Sequence, residues 1–279
     1  PDTVTFTGFN GYTIPCKGEP KTKLRIQTNG AALNWKDIKD SGTLGKNSAG
    51  NDIKVYVRSA CSTTNVKTAV IFGSIHGDEN GGQLIAHDLL FNAQLPDNLR
   101  IIAIPELNGY GVSAGIRKNK NGVDLNRNFP YGWNMTTAKD EVSSSSPYYR
   151  GPMASSEPET KAAMTFLSSL KDVNALFIYH HDLGYAASVG GTNAGIGKLY
   201  SDTTGLKNTS PDGQNVINQH GSLDLWFNKT MAKPTVLVEL NNSYIYKDQE
   251  KIDQQIKGVL AVMNSTLVQS YTPSTTGPR

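Results

Sequence analysis

The sequence predicts a single α/β domain whose central β-sheet is twisted, mixed and largely parallel, with helices on both faces. Several short β-branched runs are apolar at nearly every position, a pattern typical of strands that are covered on both faces. Helical patterns lie between these runs, and such alternation predicts helices on both sides of the sheet. The 279 residues contain no internal repeat and no linker, so we expect one domain.

Five apolar runs are predicted to be strands of this sheet. They cover residues 53–57, 68–72, 99–104, 175–179 and 235–238.

Three helices follow from capping signals and apolar spacing. One begins near Gly82, after the loop that follows the second strand. Another begins near Pro158, because Ser156 and Glu159 have capping-box spacing and proline is favoured in a first helical turn. A third, long helix follows from the 3.6-residue period that runs from Ile252 to Leu267.

The remaining segments set the predicted domain limits. Residues 1–33 are expected to form an N-terminal extension packed on the domain, residues 34–270 the domain itself, and residues 271–279 a loose polar tail. Residues 131–155 and 183–233 show no clear pattern. Long irregular segments in a compact domain are usually functional, so we expect both to wall a cleft.

Composition excludes several classes of protein. With 37% hydrophobic and 18% charged residues the chain is not a disordered polyelectrolyte, and a net charge of +3 is too weak to indicate nucleic-acid binding. No apolar run approaches the roughly 20 residues that span a bilayer, so we expect no membrane insertion. The Ser-, Thr-, Asn- and Gly-rich polar surface is typical of a secreted or periplasmic protein. Cys16 and Cys61 could therefore form a disulfide or remain two buried thiols.

A candidate metal site lies at the ends of two predicted strands. The strand at 68–72 runs into a loop that carries His76 and Glu79, and the neighbouring glycines allow their side chains to converge on one cation. The strand at 175–179 ends in His180 and His181, of which only one can easily face the metal because side chains alternate along a strand. Two histidines and one glutamate with an open position are typical of a hydrolytic zinc site.

A further sequence segment links this candidate metal site to a known protein family. Residues 122–128, Gly-Val-Asp-Leu-Asn-Arg-Asn, resemble the Gly-Val-Asp-x-Asn-Arg-Asn segment of the zinc metallocarboxypeptidases of the carboxypeptidase A type. The resemblance runs in matching order from about Gly45 to Glu239. It implies one Zn²⁺ held by His76, Glu79 and His180, with His181 as the alternative third ligand.

The resemblance also implies the remaining catalytic roles within residues 34–270. Glu239 lies where the family has its general base and acid, and Arg117 lies where it has the arginine that stabilises the transition state. Asn126 and Arg127 resemble the pair that holds a substrate carboxylate, which suits the planar fork of a guanidinium. The implied reaction is hydrolysis of an amide bond next to a free carboxylate.

Two short segments resemble one particular branch of this family. Gly221-Ser222-Leu223 and Leu183-Gly184 look like the bacterial murein peptide amidase branch, which cuts the γ-D-glutamyl–diaminopimelate bond of peptidoglycan peptides. The expected partner is therefore a peptide or muropeptide substrate. Alternatives are an ordinary C-terminal metallocarboxypeptidase acting on protein-derived peptides, a zinc N-acyl amino acid deacylase, and a binding module without catalysis.

Two features depart from the family pattern. Ser74 stands where a glycine is common, which puts the geometry of the metal-binding loop in question. The family's mobile tyrosine has no clean match; the candidates are Tyr185, Tyr200, Tyr244 and Tyr246.

Overall fold

The computed structural model describes residues 14–17, 42–135, 139–189, 195–208, 216–217, 219–241 and 248–270. All five predicted strands are present, and four of them are extended by one or two residues. The nine strands of the described residues are β1 Gly42–Lys46, β2 Asp52–Arg58, β3 Lys67–Phe72, β4 Leu99–Ile104, β5 Ala175–His181, β6 Tyr185–Val189, β7 Lys207–Asn208, β8 Val216–Ile217 and β9 Thr235–Leu240.

The sheet is mixed and largely parallel at its centre, as predicted. Its strand order is β1-β2-β4-β3-β5-β9-β6-β7, and β8 also pairs with β6. The central strands β4, β3, β5 and β9 run parallel, whereas β2 is antiparallel to β4 and β6 is antiparallel to β9.

Helices pack on both faces of the sheet. They are α1 Gly81–Phe91, α2 Gly109–Ala114, α3 Lys139–Val142, α4 Pro158–Ser169, α5 Gly195–Thr204, α6 Leu223–Met231, α7 Gln249–Asn264 and α8 Thr266–Gln269, with 3₁₀ turns at Leu125–Arg127 and Trp133–Met135. Ile71 and Phe177 belong to the apolar layer that contains α1 and α7. Val70 and Ile178 belong to the opposite layer, with α4 and α6. Adjacent strand residues thus bury opposite faces of one sheet.

The predicted capping box at α4 is absent, although the helix begins at Pro158 as predicted. Its N-cap is Glu157, which makes no side-chain capping bond. The fully buried Glu159 instead accepts hydrogen bonds from the backbone nitrogen and hydroxyl of Ser48 and from Asn119. Glu159 therefore fixes neighbouring loops rather than its own helix.

The prediction that residues 183–233 lack regular structure was wrong. This stretch contains β6, α5, β7, β8 and α6. Small residues form the contact between α5 and β6, so these elements lack the usual hydrophobic pattern. An ideal Cβ on Gly197 of α5 would lie 2.3 Å from the backbone nitrogen of Ser188 in β6. Close packing through Gly and Ala leaves no apolar periodicity to read. The described residues between 131 and 155 are mostly irregular, as expected, apart from the 3₁₀ turn Trp133–Met135 and the short helix α3.

The described part of the N-terminal extension is anchored to β2. Cys16 and Cys61 form a disulfide, and Ile14 makes a parallel bridge to Arg58. The buried Arg58 guanidinium donates to the carbonyls of Cys16, Leu89 and Ala93, and so satisfies the C-terminal end of α1. Most of the predicted extension and the whole predicted tail lie outside the described residues.

The sheet order creates a crevice at the carboxyl ends of its central strands. From β3 the chain crosses through α1 to β4 on one side, and β5 then pairs with the other side of β3. This reversal is the topological switch point at which open α/β sheets bind ligands. Within the described residues no helix is both long and apolar enough to span a membrane.

Candidate active site

Three side chains converge at this crevice. His76 and Glu79 lie on the loop between β3 and α1, and His180 lies near the end of β5. The Nδ1 atom of His76 is 2.9 Å from Glu79 Oε1, and the Nδ1 atom of His180 is 2.9 Å from Glu79 Oε2. The two Nδ1 atoms are 3.2 Å apart. One potential ligand atom of each residue thus lies within 4.8 Å of the other two.

These separations fit a tetrahedral zinc ion. Zinc bonds of about 2.05 Å at tetrahedral angles place neighbouring ligand atoms about 3.3 Å apart. The two Nδ1 atoms, 3.2 Å apart, are close to that value, and Glu79 places a different carboxylate oxygen 2.9 Å from each of them, so a small expansion accommodates the ion. The donor set of two imidazoles and one carboxylate also matches zinc chemistry and leaves a coordination position for substrate or water.

The loop that carries these residues is held by Ser74. Ser74 adopts a left-handed conformation with φ of 42°, which explains why a glycine would also suit this position. Its hydroxyl donates to Asn80 Oδ1 at 3.0 Å and accepts from Gln83 Nε2 at 3.0 Å. These bonds tie the loop to the start of α1 and offset the backbone strain.

His180, not His181, faces this cluster. The ring of His181 lies at the start of α1, where its Nε2 atom accepts a hydrogen bond of 2.8 Å from the backbone nitrogen of Gly81. Its backbone nitrogen donates to Glu79 Oε2 at 3.2 Å. The alternation expected of a strand therefore separates the two imidazoles.

Asp124 of the signature segment lies behind His76. Its fully buried carboxylate is 3.0 Å from His76 Nε2 and accepts from the Arg117 guanidinium at 2.8 and 3.0 Å. A carboxylate on the far nitrogen of a metal-binding histidine fixes the orientation of the ring and increases its basicity. Asp124 therefore positions two site residues, a role that its place in the signature could have suggested.

Interactions between neighbouring charged side chains determine the pKa values in the metal-free cluster. Burial alone would lower the pKa of His76, but the carboxylates of Asp124 and Glu79 raise it to about 9. Burial raises the pKa of Glu79 and of Asp124, yet other charges outweigh it and hold both pKa values well below the ordinary range: His76 and His180 at Glu79, and His76 with Arg117 and Arg127 at Asp124. The cluster therefore contains charges that the protein has already desolvated.

Arg117 reaches the edge of the cluster. Besides Asp124, its guanidinium contacts Glu79 Oε1 at 3.3 Å. Burial lowers the pKa of Arg117, but Asp124 and Glu79 raise it above its usual value, so the side chain remains a cation. A fixed cation beside a metal-binding carboxylate is suited to stabilise an oxyanion that develops there.

Glu239 lies in the same cross-strand row as His180. The two residues are paired between β5 and β9, and Tyr185 of β6 is paired with Glu239 on its other side. Burial raises the pKa of Glu239, and burial together with the Glu239 charge raises the pKa of Tyr185 to about 12. Among the described residues the buried Glu239 Oε2 atom has no hydrogen-bond partner.

Asn126 connects the cluster to α6. Its Nδ2 atom is 3.3 Å from His180 Nε2, and its Oδ1 atom accepts a hydrogen bond of 2.9 Å from the backbone nitrogen of Leu223. The structure thus engages Asn126 with a candidate metal ligand rather than leaving its amide free. Arg127 is the more available member of the predicted carboxylate-binding pair.

Two residues from the irregular segment contact Arg127. Glu141 Oε1 accepts from Arg127 Nε at 3.3 Å, and the ring of Tyr148 lies beneath the guanidinium at 5.8 Å. The sequence analysis predicted that residues 131–155 wall a cleft but did not identify these side chains. No spacing rule links them to Arg127, because they approach it through an irregular chain path.

The structure describes two of the four candidates for the mobile tyrosine. Tyr200 is fully buried, with its hydroxyl 3.0 Å from that of Tyr179. Tyr185 lies beside Glu239. Tyr244 and Tyr246 lie outside the described residues.

Comparison with known proteins places this site in a family. Residues 32–255 match the zinc carboxypeptidase family. Murein peptide amidase A of Escherichia coli K12 is 29% identical over 126 residues, covering 42% of this chain and 49% of that protein. The chain thus matches about half the length of this curated relative.

Solved structures show the same fold. The murein-tripeptide amidase of Escherichia coli O157 has a TM-score of 0.59 at 19% identity, covering 83% of this chain and 94% of that chain. The carboxypeptidase A of Helicoverpa armigera has a TM-score of 0.63 at 18% identity, covering 80% of this chain and 68% of that chain.

Proposed function

Because the chain belongs to the zinc carboxypeptidase family, we propose that it is a zinc-dependent amidase that cuts next to a free carboxylate. The proposed bond is the γ-D-glutamyl–diaminopimelate bond of peptidoglycan peptides. The observation that carries the proposal is the convergence of His76, Glu79 and His180 within reach of Arg117 and beside Glu239.

His76, Glu79 and His180 would hold the metal. The spacing of their ligand atoms fits a tetrahedral ion, and Asp124 supports the ring of His76 from behind. When bound, zinc supplies the Lewis acidity that makes a water nucleophilic near neutral pH.

Glu239 would move the protons of the reaction. Its partly buried carboxylate would accept a proton from the attacking water and deliver it to the leaving amine. The pKa raised by burial favours proton uptake, and the Oε2 atom, which has no hydrogen-bond partner among the described residues, provides the site. Arg117 would stabilise the negative charge that develops on the carbonyl oxygen.

Arg127 would bind the free carboxylate of the substrate. Its Nε atom is used by Glu141 and its NH1 atom by the backbone oxygen of Asn126, which fixes the guanidinium before substrate arrives. A fixed guanidinium recognises a carboxylate with little loss of side-chain entropy. Asn126 would assist by holding His180 and α6.

The substrate class and cellular location are supported less directly. The murein peptide amidase relative suggests a peptidoglycan peptide, whose diaminopimelate residue offers a carboxylate to Arg127. We also propose a secreted or periplasmic location. The Cys16–Cys61 disulfide supports it, because such bonds persist in oxidising compartments.

Product analysis by mass spectrometry tests the reaction. Zinc-loaded protein is given L-Ala-γ-D-Glu-meso-diaminopimelate and, separately, a set of ordinary peptides and N-acyl amino acids. Release of diaminopimelate that a chelator abolishes and zinc restores is the expected result. Removal of C-terminal residues from ordinary peptides would instead identify a general carboxypeptidase, and cleavage of the acyl amino acids alone would identify a deacylase.

A Glu239→Gln variant separates metal binding from catalysis. It should retain zinc, because Glu239 is not among the converging ligands, and should lose most turnover. Full activity of this variant would refute the role assigned to Glu239.

A further inference from the structure

Tyr148 contacts both arginines of the site with one aromatic ring. The guanidinium carbon of Arg117 lies 5.3 Å from the ring centroid, and that of Arg127 lies 5.8 Å from it. Both distances are within the range of cation–π attraction. Tyr148 remains 40% exposed, so the two cations leave part of it open to solvent.

The backbone around Tyr148 is fixed against the signature segment. The nitrogen of Asp124 donates to the carbonyl of Tyr149 at 2.7 Å, and the nitrogen of Tyr148 donates to the hydroxyl of Ser146 at 3.0 Å. The nitrogen of Arg150 donates to the carbonyl of Glu141 at 2.9 Å. The first bond joins the Tyr148 loop to the segment that carries Arg127, and the other two hold the loop itself together, which favours a fixed position of the ring beside the guanidinium.

We propose that Tyr148 is a specificity-determining residue that contacts the released part of the substrate. The inference rests on the proposed function, in which Arg117 binds near the scissile carbonyl and Arg127 binds the free carboxylate. A substrate that joins these two cations must pass beside the ring that lies against both. Tyr148 therefore forms the wall along which the released residue lies.

The ring acts through its face rather than its hydroxyl. The negative face holds the two guanidiniums in place before an anion arrives, and its apolar surface covers the methylene groups of the released residue. Phenylalanine preserves both properties, whereas leucine keeps apolar bulk and removes the π-face. Tyr149 provides a matched control on the same loop, because no contact of its ring with either arginine is found in the described part of the chain.

Calorimetric binding tests this role without requiring turnover. Zinc-loaded protein carrying Glu239→Gln is titrated with L-Ala-γ-D-Glu-meso-diaminopimelate and with the same tripeptide amidated at both diaminopimelate carboxylates. The pair hippuryl-phenylalanine and hippuryl-phenylalanine amide is titrated in the same way. The added substitutions are Tyr148→Phe, Tyr148→Leu and Tyr149→Leu.

The expected result is a selective loss of carboxylate recognition. Tyr148→Leu should weaken binding of the free acid about tenfold, or about 1.4 kcal/mol, and change the amide by less than about twofold. Tyr148→Phe and Tyr149→Leu should bind like the parent protein.

Three outcomes would overturn the inference. They are unchanged affinity in Tyr148→Leu, an equal loss for acid and amide together with a lower melting temperature, and failure of all four ligands to bind the parent. Failure of the proposed function looks different. Wild-type protein that shows the selective binding pattern but releases no product would refute the reaction and leave the role of Tyr148 standing.

Discussion

Replacing Asp124 with asparagine should weaken zinc binding although Asp124 is not itself a metal ligand. The substitution removes the buried charge that accepts from His76 Nε2 at 3.0 Å and from Arg117 at 2.8 and 3.0 Å. An asparagine can offer its oxygen to only one of these partners and turns an amide donor toward the other. Loss of such support for a histidine ligand typically costs about 10- to 100-fold in metal affinity, or about 1.4–2.7 kcal/mol.

Competition with a chromophoric chelator measures this effect. Asp78→Asn is the matched control, because Asp78 is an exposed aspartate two residues from His76 and likewise loses one charge. We expect the control to change zinc affinity by less than about threefold, since exposed charges are screened by solvent. Equal affinities for Asp124→Asn and the control would refute the claim that Asp124 positions His76. Melting curves of the metal-free proteins establish that both variants are folded.

Further predictions concern the substrate, the disulfide and a buried acid. Arg127→Lys should raise KM about 10- to 100-fold for carboxylate-ended substrates and change kcat little, because an ammonium cannot reproduce the guanidinium fork; an unchanged KM would count against carboxylate binding. Cys16→Ser should lower the free energy of unfolding in urea by up to about 4 kcal/mol, given a separation of 45 residues from Cys61, and no loss would show that the bridge is dispensable. Burial raises the pKa of Asp224, so the folded metal-free protein retains its proton after the unfolded chain has lost it near pH 4. Stability should therefore fall as pH rises through that region, and Asp224→Asn should become progressively more stable than wild type; a constant difference between pH 3 and pH 7 would contradict this.

The central sheet was predictable because its strands are buried on both faces. Runs such as residues 68–72 and 175–179 are apolar at nearly every position, and burial demands that pattern. The region after β5 was not predictable in this way. There β6 and α5 approach each other through Ala187, Ser188 and Gly197, and small residues give close packing without hydrophobic periodicity.

Some residues of the candidate site could be predicted from the strand pattern, whereas others depend on tertiary folding. His76, Glu79 and His180 follow strand ends, and the parallel arrangement of β3 and β5 brings strand ends together. Glu141 of the short helix α3 and Tyr148 of the loop after it reach Arg127, and tertiary folding alone decides that these side chains meet. Asn126 contacts His180 and the backbone of Leu223, and these contacts depend on the position of α6.

The metal content of two adjacent histidine variants tests the central claim most directly. Purified wild-type protein, His180→Ala and His181→Ala are loaded with zinc, dialysed and analysed for bound metal. We predict one zinc per chain in wild type and in His181→Ala, because the His181 ring bonds to the start of α1, and loss of zinc in His180→Ala. Retention of zinc by His180→Ala, or its loss from a folded His181→Ala alone, would contradict the assigned site.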